Sequence, residues 1–214
     1  MAQLRFSFGT MGSGKSTLAL QIHHNLSVRG LRGVLCTQLD RKSGQVSSQL
    51  GVSAEAIDVV EGTDLFTLAE ALQADEALDY MVCDEAQFYE PEQIEQLARV
   101  VDELDADVYA FGLLTDFRGR LFPGTQRLLE LADRSTEVDV EARCWCGERA
   151  THNARMVDGE QVYDGELKVV DDPNVEPAVT YELRCRLHWH TGESAPGRGS
   201  HPTGRGSAGE NGAP

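Results

Sequence analysis

Gly9-Thr10-Met11-Gly12-Ser13-Gly14-Lys15-Ser16 spells G-x-x-x-x-G-K-[ST], and the apolar run Leu4–Phe8 leads straight into it. A loop of this composition works in one setting, between a buried strand and the first turn of a helix. The glycines let the backbone curl so that several N–H groups point at one phosphate, and the helix end adds its partial positive charge. The lysine then reaches the β and γ oxygens while the serine hydroxyl ligates Mg²⁺. Gly9, Thr10, Met11, Gly12, Ser13, Gly14, Lys15 and Ser16 are therefore read as an ATP site, with Ser16 on the metal. A glycine-rich turn with a chance Lys-Ser would lack the flanking strand and helix.

Beyond the loop the chain keeps the same alternation. Lys15 to Arg29 reads as a helix with Leu18, Ile22 and Leu26 on one face and Gly30 as its stop. Strands are expected at Gly33–Thr37, Asp58–Val60, Tyr80–Cys83, Val108–Gly112 and Thr136–Val140. Helices are expected at Leu65–Leu72, Pro91–Leu104 and Thr125–Ala132, the second opened by a proline at its first position. Strand after helix after strand predicts an α/β, P-loop NTPase-like fold: a mostly parallel sheet flanked by helices on both faces.

After about Glu141 the pattern changes to cysteines, histidines and short polar-apolar alternations. This predicts an ATP-binding domain over 1–141 and a small domain over 142–190. From Thr191 to Pro214 the chain is Gly, Ser, Pro and Ala with scattered charges and no large apolar residue. Such a segment buries too little surface to offset its ordering entropy, so 191–214 is expected to be a disordered tail.

Charge narrows the partners. The formal net charge is −16 and the pI near 4.7, a field that repels a long polyanion and disfavours nucleic-acid binding. A nest of backbone N–H groups still holds a small phosphate ligand against that field. No apolar run approaches the roughly 20 residues of a membrane-spanning helix. The start, MAQLRFSFGT, lacks the basic opening and cleavage site of a signal peptide. The expected location is cytoplasmic, away from membranes.

Two constellations carry further chemistry. Met81-Val82-Cys83-Asp84-Glu85 is an apolar strand that delivers two acids at its C-terminal end, where open α/β sheets bind ligands. Asp84 suits a second Mg²⁺ anchor, and Glu85 is then free to take a proton from an attacking hydroxyl or water. Farther on, Cys144-Trp145-Cys146-Gly147 and Cys185-Arg186-Leu187-His188 offer three sulfurs and one imidazole as two close pairs. That is the ligand set of a closed, structural Zn²⁺ site, although C-x-C is tighter than the usual C-x₂-C. Cys36 and Cys83 lie in apolar runs and read as small core residues.

At this point the residues resemble the type II thymidine kinases, the family of the cytosolic enzyme. The likeness rests on the phosphate loop with Met11 inside it, on Asp84-Glu85-Ala86-Gln87-Phe88, on Thr115-Asp116-Phe117-Arg118-Gly119 followed by Phe122, and on the C-terminal Cys/His pairs. It spans nearly the whole chain except the tail. The resemblance implies ATP- and Mg²⁺-dependent phosphorylation of thymidine, with Glu85 as the base for the sugar 5′-hydroxyl and Gln87 near the nucleotide with Asp84 and Glu85. It further implies that Phe88 stacks on thymine and that Met11, Leu113, Phe117 and Phe122 complete an apolar slot. Asp40 and Lys42 resemble an Asp-x-Arg element beside the sugar, with Lys where Arg is usual. Arg155 and Tyr181 match the two ends of a loop, about Asn153 to Tyr181, that closes over the nucleoside. The family often has Gly-Gly before that tyrosine, whereas Val169–Pro177 here carries two prolines. A homotetramer is also implied.

Two other readings use the same motifs. One is a kinase for another nucleoside or a nucleotide. The other is a recombinase-like ATPase that grips DNA, against which the charge of −16 and the lack of a basic stripe both speak.

Overall fold

Tyr80–Cys83 is buried at every position, as a strand must be when helices cover both faces of its sheet. In this computed structural model the described residues are 1–38, 45–48, 50–138, 140–167 and 179–195. The large sheet holds β1 (Leu4–Phe8), β2 (Gly33–Thr37), β5 (Ile57–Asp58), β6 (Tyr80–Cys83), β7 (Asp107–Gly112) and β8 (Arg134–Glu137). Its order is β5-β2-β6-β7-β1-β8, and every pairing is parallel. Between β2 and β5 lies a hairpin of β3 (Gln45–Ser47) and β4 (Ser53–Glu55).

The period-2 alternation of each strand divides its side chains between two cores. Leu4, Phe6, Cys36, Met81, Cys83, Val108 and Ala110 pack with Leu65, Ile94, Leu97, Val100 and Leu128. Those partners come from helices α2 (Leu65–Asp75), α3 (Pro91–Leu104) and α4 (Pro123–Leu131). Leu35, Tyr80, Val82 and Phe111 point the other way, onto Ala19, Leu20, Ile22 and Leu26 of α1 (Lys15–Val28). Cys36 and Cys83 are thus fully buried core residues. Helix starts follow their caps: Asp64 Oδ1 accepts from Thr67 N at 2.9 Å ahead of α2, and Glu90 N donates to Gln93 Oε1 at 3.0 Å ahead of α3.

Several expectations shift. The inner face of α1 begins at Ala19, and Leu18 is 38% exposed. The last strand of the large sheet is Arg134–Glu137, fully exposed and two residues earlier than the apolar pattern of Val138 and Val140 suggested. Its position is set by backbone pairing with β1, Arg5 opposite Arg134 through Phe8 opposite Glu137. The third parallel strand is Ile57–Asp58, a residue earlier than expected, because its partner β2 ends at Thr37 opposite Asp58.

The C-terminal part forms a separate antiparallel sheet, β10-β9-β11, from β9 (His152–Val157), β10 (Glu160–Val162) and β11 (Val179–Arg184). Helix α5 (Arg186–Thr191) closes it, so Thr191 ends a helix, and 196–214 lie outside the described residues. Among the described residues no helix is long and apolar enough to cross a membrane.

Candidate active site

Strand β1 hands the chain to the phosphate loop at the C-terminal edge of the large sheet. Gly9 N donates to Gly112 O at 3.3 Å, which ties the loop to the end of β7. Gly14 holds φ +81 as the N-cap of α1, a left-handed conformation that side chains disfavour. Lys15 is only 7% exposed, and its Nζ donates to Thr10 O at 2.8 Å. Burial pulls the ammonium pKa down, while the carboxylates of Glu85 and Asp84 push it back up.

Those carboxylates leave the end of β6 beside the loop. Asp84 is 3% exposed and its N–H donates to Cys36 O at 2.8 Å. Burial, then the charge of Glu85, raises its carboxyl to about 7, against the Ser16 hydroxyl, the Glu85 N–H and Lys15. Oδ1 of Asp84 is buried without a protein partner. An orphaned carboxylate oxygen beside the loop serine hydroxyl is the kind of oxygen donor set that a hard divalent cation takes. The residues fit Mg²⁺.

Glu85 stands in the left-handed region at φ 53, ahead of a short 3₁₀ turn, Ala86–Phe88. A glutamate held there is strained, and such strain gathers at functional sites. Its carboxylate accepts from Gln87 Nε2 at 2.5 Å, and the other end of that amide, Oε1, accepts from Leu113 N at 3.0 Å. Gln87 is 1% exposed, with both ends of its amide engaged by protein groups.

The turn carries Phe88 onto Phe122, edge to face at 5.4 Å between ring centres. Leu113, Phe117 and Phe122 are buried. Asp116 shapes the segment between them: its Oδ1 accepts from Arg118 N and Arg120 N, each at 2.9 Å. Thr125 Oγ1 donates to Leu113 O at 2.7 Å and closes the other side.

Arg155 and Tyr181 face each other across the β9–β11 register. Arg155 Nε and Nη2 donate to the Tyr181 hydroxyl at 3.0 and 2.9 Å, and Nη1 donates to Glu166 O at 2.7 Å. Nη2 also donates to Leu167 O at 3.3 Å, and the guanidinium lies 3.7 Å from the centre of the Phe117 ring. The Arg155 side chain therefore ties Glu166 and Leu167 to Tyr181 over the Phe117 ring. Asp40, Lys42 and Val169–Pro177 lie outside the described residues.

Two further connections were not visible in the sequence. Met11 N donates to Asn153 Oδ1 at 2.9 Å, joining the phosphate loop to β9. Trp189 Nε1 donates to Phe117 O at 3.0 Å while its ring stacks on His152 at 4.5 Å. Each crosses a long stretch of chain, so no local pattern announces it; the adjacency of Trp189 to His188 was the only available signal.

Cys144, Cys146, Cys185 and His188 bring their ligand atoms within 4.8 Å of one another. His188 Nδ1 is 3.4 Å from the sulfurs of both Cys144 and Cys185, and Cys146 lies 4.0 Å from Cys185. Burial alone would raise the Cys144 thiol pKa, but the N–H groups of Cys146 and Cys185 and the His188 ring bring it down to about 6. Three sulfurs and one nitrogen gathered this closely are the donor types and number that a tetrahedral Zn²⁺ site takes. Trp145 stacks on the His188 ring at 4.1 Å and covers one side.

Comparison with known proteins gives the same outline. The sequence model of the thymidine kinase family matches residues 2–189. A thymidine kinase of Streptomyces avermitilis is 57% identical over 191 residues, 88% of each chain. One of Streptomyces coelicolor is 54% identical over the same coverage, and one of Cutibacterium acnes is 50% identical over 194 residues, 90% of each chain.

Proposed function

This chain belongs to the thymidine kinase family, and we propose that it transfers the γ-phosphoryl group of ATP to the thymidine 5′-hydroxyl with Glu85 as general base. The observation that carries the reading is the placement of Glu85. It follows the buried Asp84 at the end of β6, with Lys15 near enough to feel both charges, and precedes Phe88 on its way into the apolar slot. In this reading the base would stand between a triphosphate site and a slot for a flat pyrimidine.

Lys15 and the loop N–H groups would hold the β- and γ-phosphates. Ser16 and Asp84 would hold Mg²⁺, which neutralises charge on those phosphates when bound. Glu85 takes the proton of the 5′-hydroxyl as its oxygen attacks the γ-phosphorus, and the bond to the bridging oxygen breaks, releasing ADP. Such catalysis is mainly positioning and charge stabilisation. Phe88 would face thymine, with Met11, Leu113, Phe117 and Phe122 around it and Asp40 near the sugar. Arg155 and Tyr181 would hold the loop between them over the nucleoside and keep water from competing for the phosphoryl group.

We assign 1–141 to the ATP-binding kinase domain and 142–190 to a module that covers the nucleoside. Cys144, Cys146, Cys185 and His188 would hold a structural Zn²⁺ there. A homotetramer in the cytoplasm completes the reading, tested by the mass of the purified protein in solution.

ATP-dependent phosphorylation across a panel of nucleosides tests the function. Thymidine should lead by a wide margin, with dTMP and ADP formed in equal amounts. ATP turnover that needs DNA and no nucleoside would overturn it.

A further inference from the structure

We infer that Gln87 is the positioning residue of the phosphoryl-transfer site, fixing the Glu85 carboxylate to the end of β7. This rests on Glu85 acting as the base. The two ends of the Gln87 amide face partners of opposite kind. Only the amide oxygen can accept from the Leu113 N–H, at 3.0 Å, and that leaves the NH₂ group to donate to Glu85 Oε2, at 2.5 Å. A flipped amide would set a donor against a donor on one side and an acceptor against a carboxylate on the other.

The seat of Gln87 is as constrained as its hydrogen bonds. It is 1% exposed, and β7 closes on it through Gly112. A Cβ at Gly112 would come within 2.8 Å of Gln87 Oε1 and 3.1 Å of its backbone nitrogen. The carbonyl of the same Gly112 accepts from Gly9 N, the first residue of the phosphate loop, at 3.3 Å. One short piece of chain at the end of β7, Gly112-Leu113, therefore holds the phosphate loop by its carbonyl and the base, through Gln87, by its next N–H. Base and phosphate are located from a common point.

The contact engages one of the two carboxylate oxygens and so directs the other toward the acceptor hydroxyl, where small misplacements are expensive in rate. Glu85 needs that support because its backbone occupies a strained conformation, at φ 53.

Gln87→Met removes both hydrogen bonds at similar length, and Gln87→Glu keeps the acceptor for Leu113 N–H while replacing the donor with a second carboxyl. In both variants kcat for thymidine should fall by roughly 10–10² while the KM for ATP stays near that of the parent protein. In a Glu85→Gln background, Gln87→Met should leave the residual rate nearly unchanged, because the residue it serves is gone. A loss carried by KM with kcat unchanged, or the same fold-loss with and without Glu85, overturns the assignment of Gln87. Full activity in Glu85→Gln alone overturns the base itself, so the two failures are distinct. If Gln87→Met does not fold, Gln87→Glu decides.

Discussion

The N–H of Met11, inside the phosphate loop, donates to the side chain of Asn153 at 2.9 Å, across 142 residues of chain. One phosphate-loop amide is therefore held by a side chain of β9. Asn153→Ala should leave this N–H without its partner in a site where Asn153 is buried, a loss of about 1–3 kcal/mol. The expected outcome is a thymidine KM raised roughly tenfold with a smaller change for ATP. Steady-state kinetics with each substrate varied checks it; unchanged values would show that the contact is incidental.

Metal content is the second prediction. The purified protein should hold about one Zn²⁺ per chain, and Cys146→Ser should lower that ratio and the melting temperature together, since structural metal binding is folding free energy. Elemental analysis with thermal melts reads both. A zinc-free protein, or a variant with full zinc and full stability, would sink the site.

The Arg155–Tyr181 pair gives a third. The Tyr181 hydroxyl accepts two N–H bonds from a guanidinium that is 3% exposed. Tyr181→Phe leaves those donors buried and should destabilise by about 1–3 kcal/mol. Arg155→Lys should be comparably damaging, because an ammonium cannot reproduce the fork. Their double variant should cost less than the sum, as for any pair in direct contact. Additive losses in denaturant melts would show that the pair does not act as a unit.

How much was legible in the sequence depends on the range of each interaction. The phosphate loop and its flanks are local chemistry, so β1, Gly9–Ser16 and α1 could be read directly, as could the strand that delivers Asp84 and Glu85. The hairpin of Gln45–Ser47 and Ser53–Glu55 was missed because it has little apolar pattern, and Arg134–Glu137 because its position comes from pairing with β1. Arg155 was placed by the resemblance at the start of a loop over the nucleoside; its donors meet Tyr181 and two carbonyls, partners that no local pattern named. A charge can be seen in a sequence; its hydrogen-bond partners depend on which strands pair.

A fourth prediction concerns acid stability. The Tyr80 hydroxyl bonds His23 Nδ1 at 3.0 Å, where α1 packs on β6. Burial, then the neighbouring charge of His24, lowers the His23 pKa below its ordinary 6.5. The unfolded chain therefore takes up a proton here before the folded one does, and stability is lost as pH falls below about 6.5. His23→Gln should flatten the fall of melting temperature between about pH 6.5 and 5. An equal slope in both proteins would remove His23 from the acid response.

The decisive prediction separates the two acids at the end of β6. Glu85→Gln keeps the size of the side chain and leaves Ser16 and Asp84 to anchor Mg²⁺. ATP binding should then be little changed, while kcat falls by roughly 10²–10⁴, the usual size of a general-base contribution. Asp84→Asn should behave differently. Asp84 is 3% exposed, with Oδ1 unpartnered and its carboxyl near Ser16 and Lys15, so its loss should weaken Mg²⁺·ATP binding as well as turnover. If Glu85 merely ended the strand, glutamine would replace it with little effect. Thymidine phosphorylation and ATP affinity measured in both variants distinguish the roles. Near-normal kcat in Glu85→Gln with ATP bound normally would take Glu85 out of the mechanism, and equal effects of the two substitutions on ATP affinity would mean that both acids serve the metal.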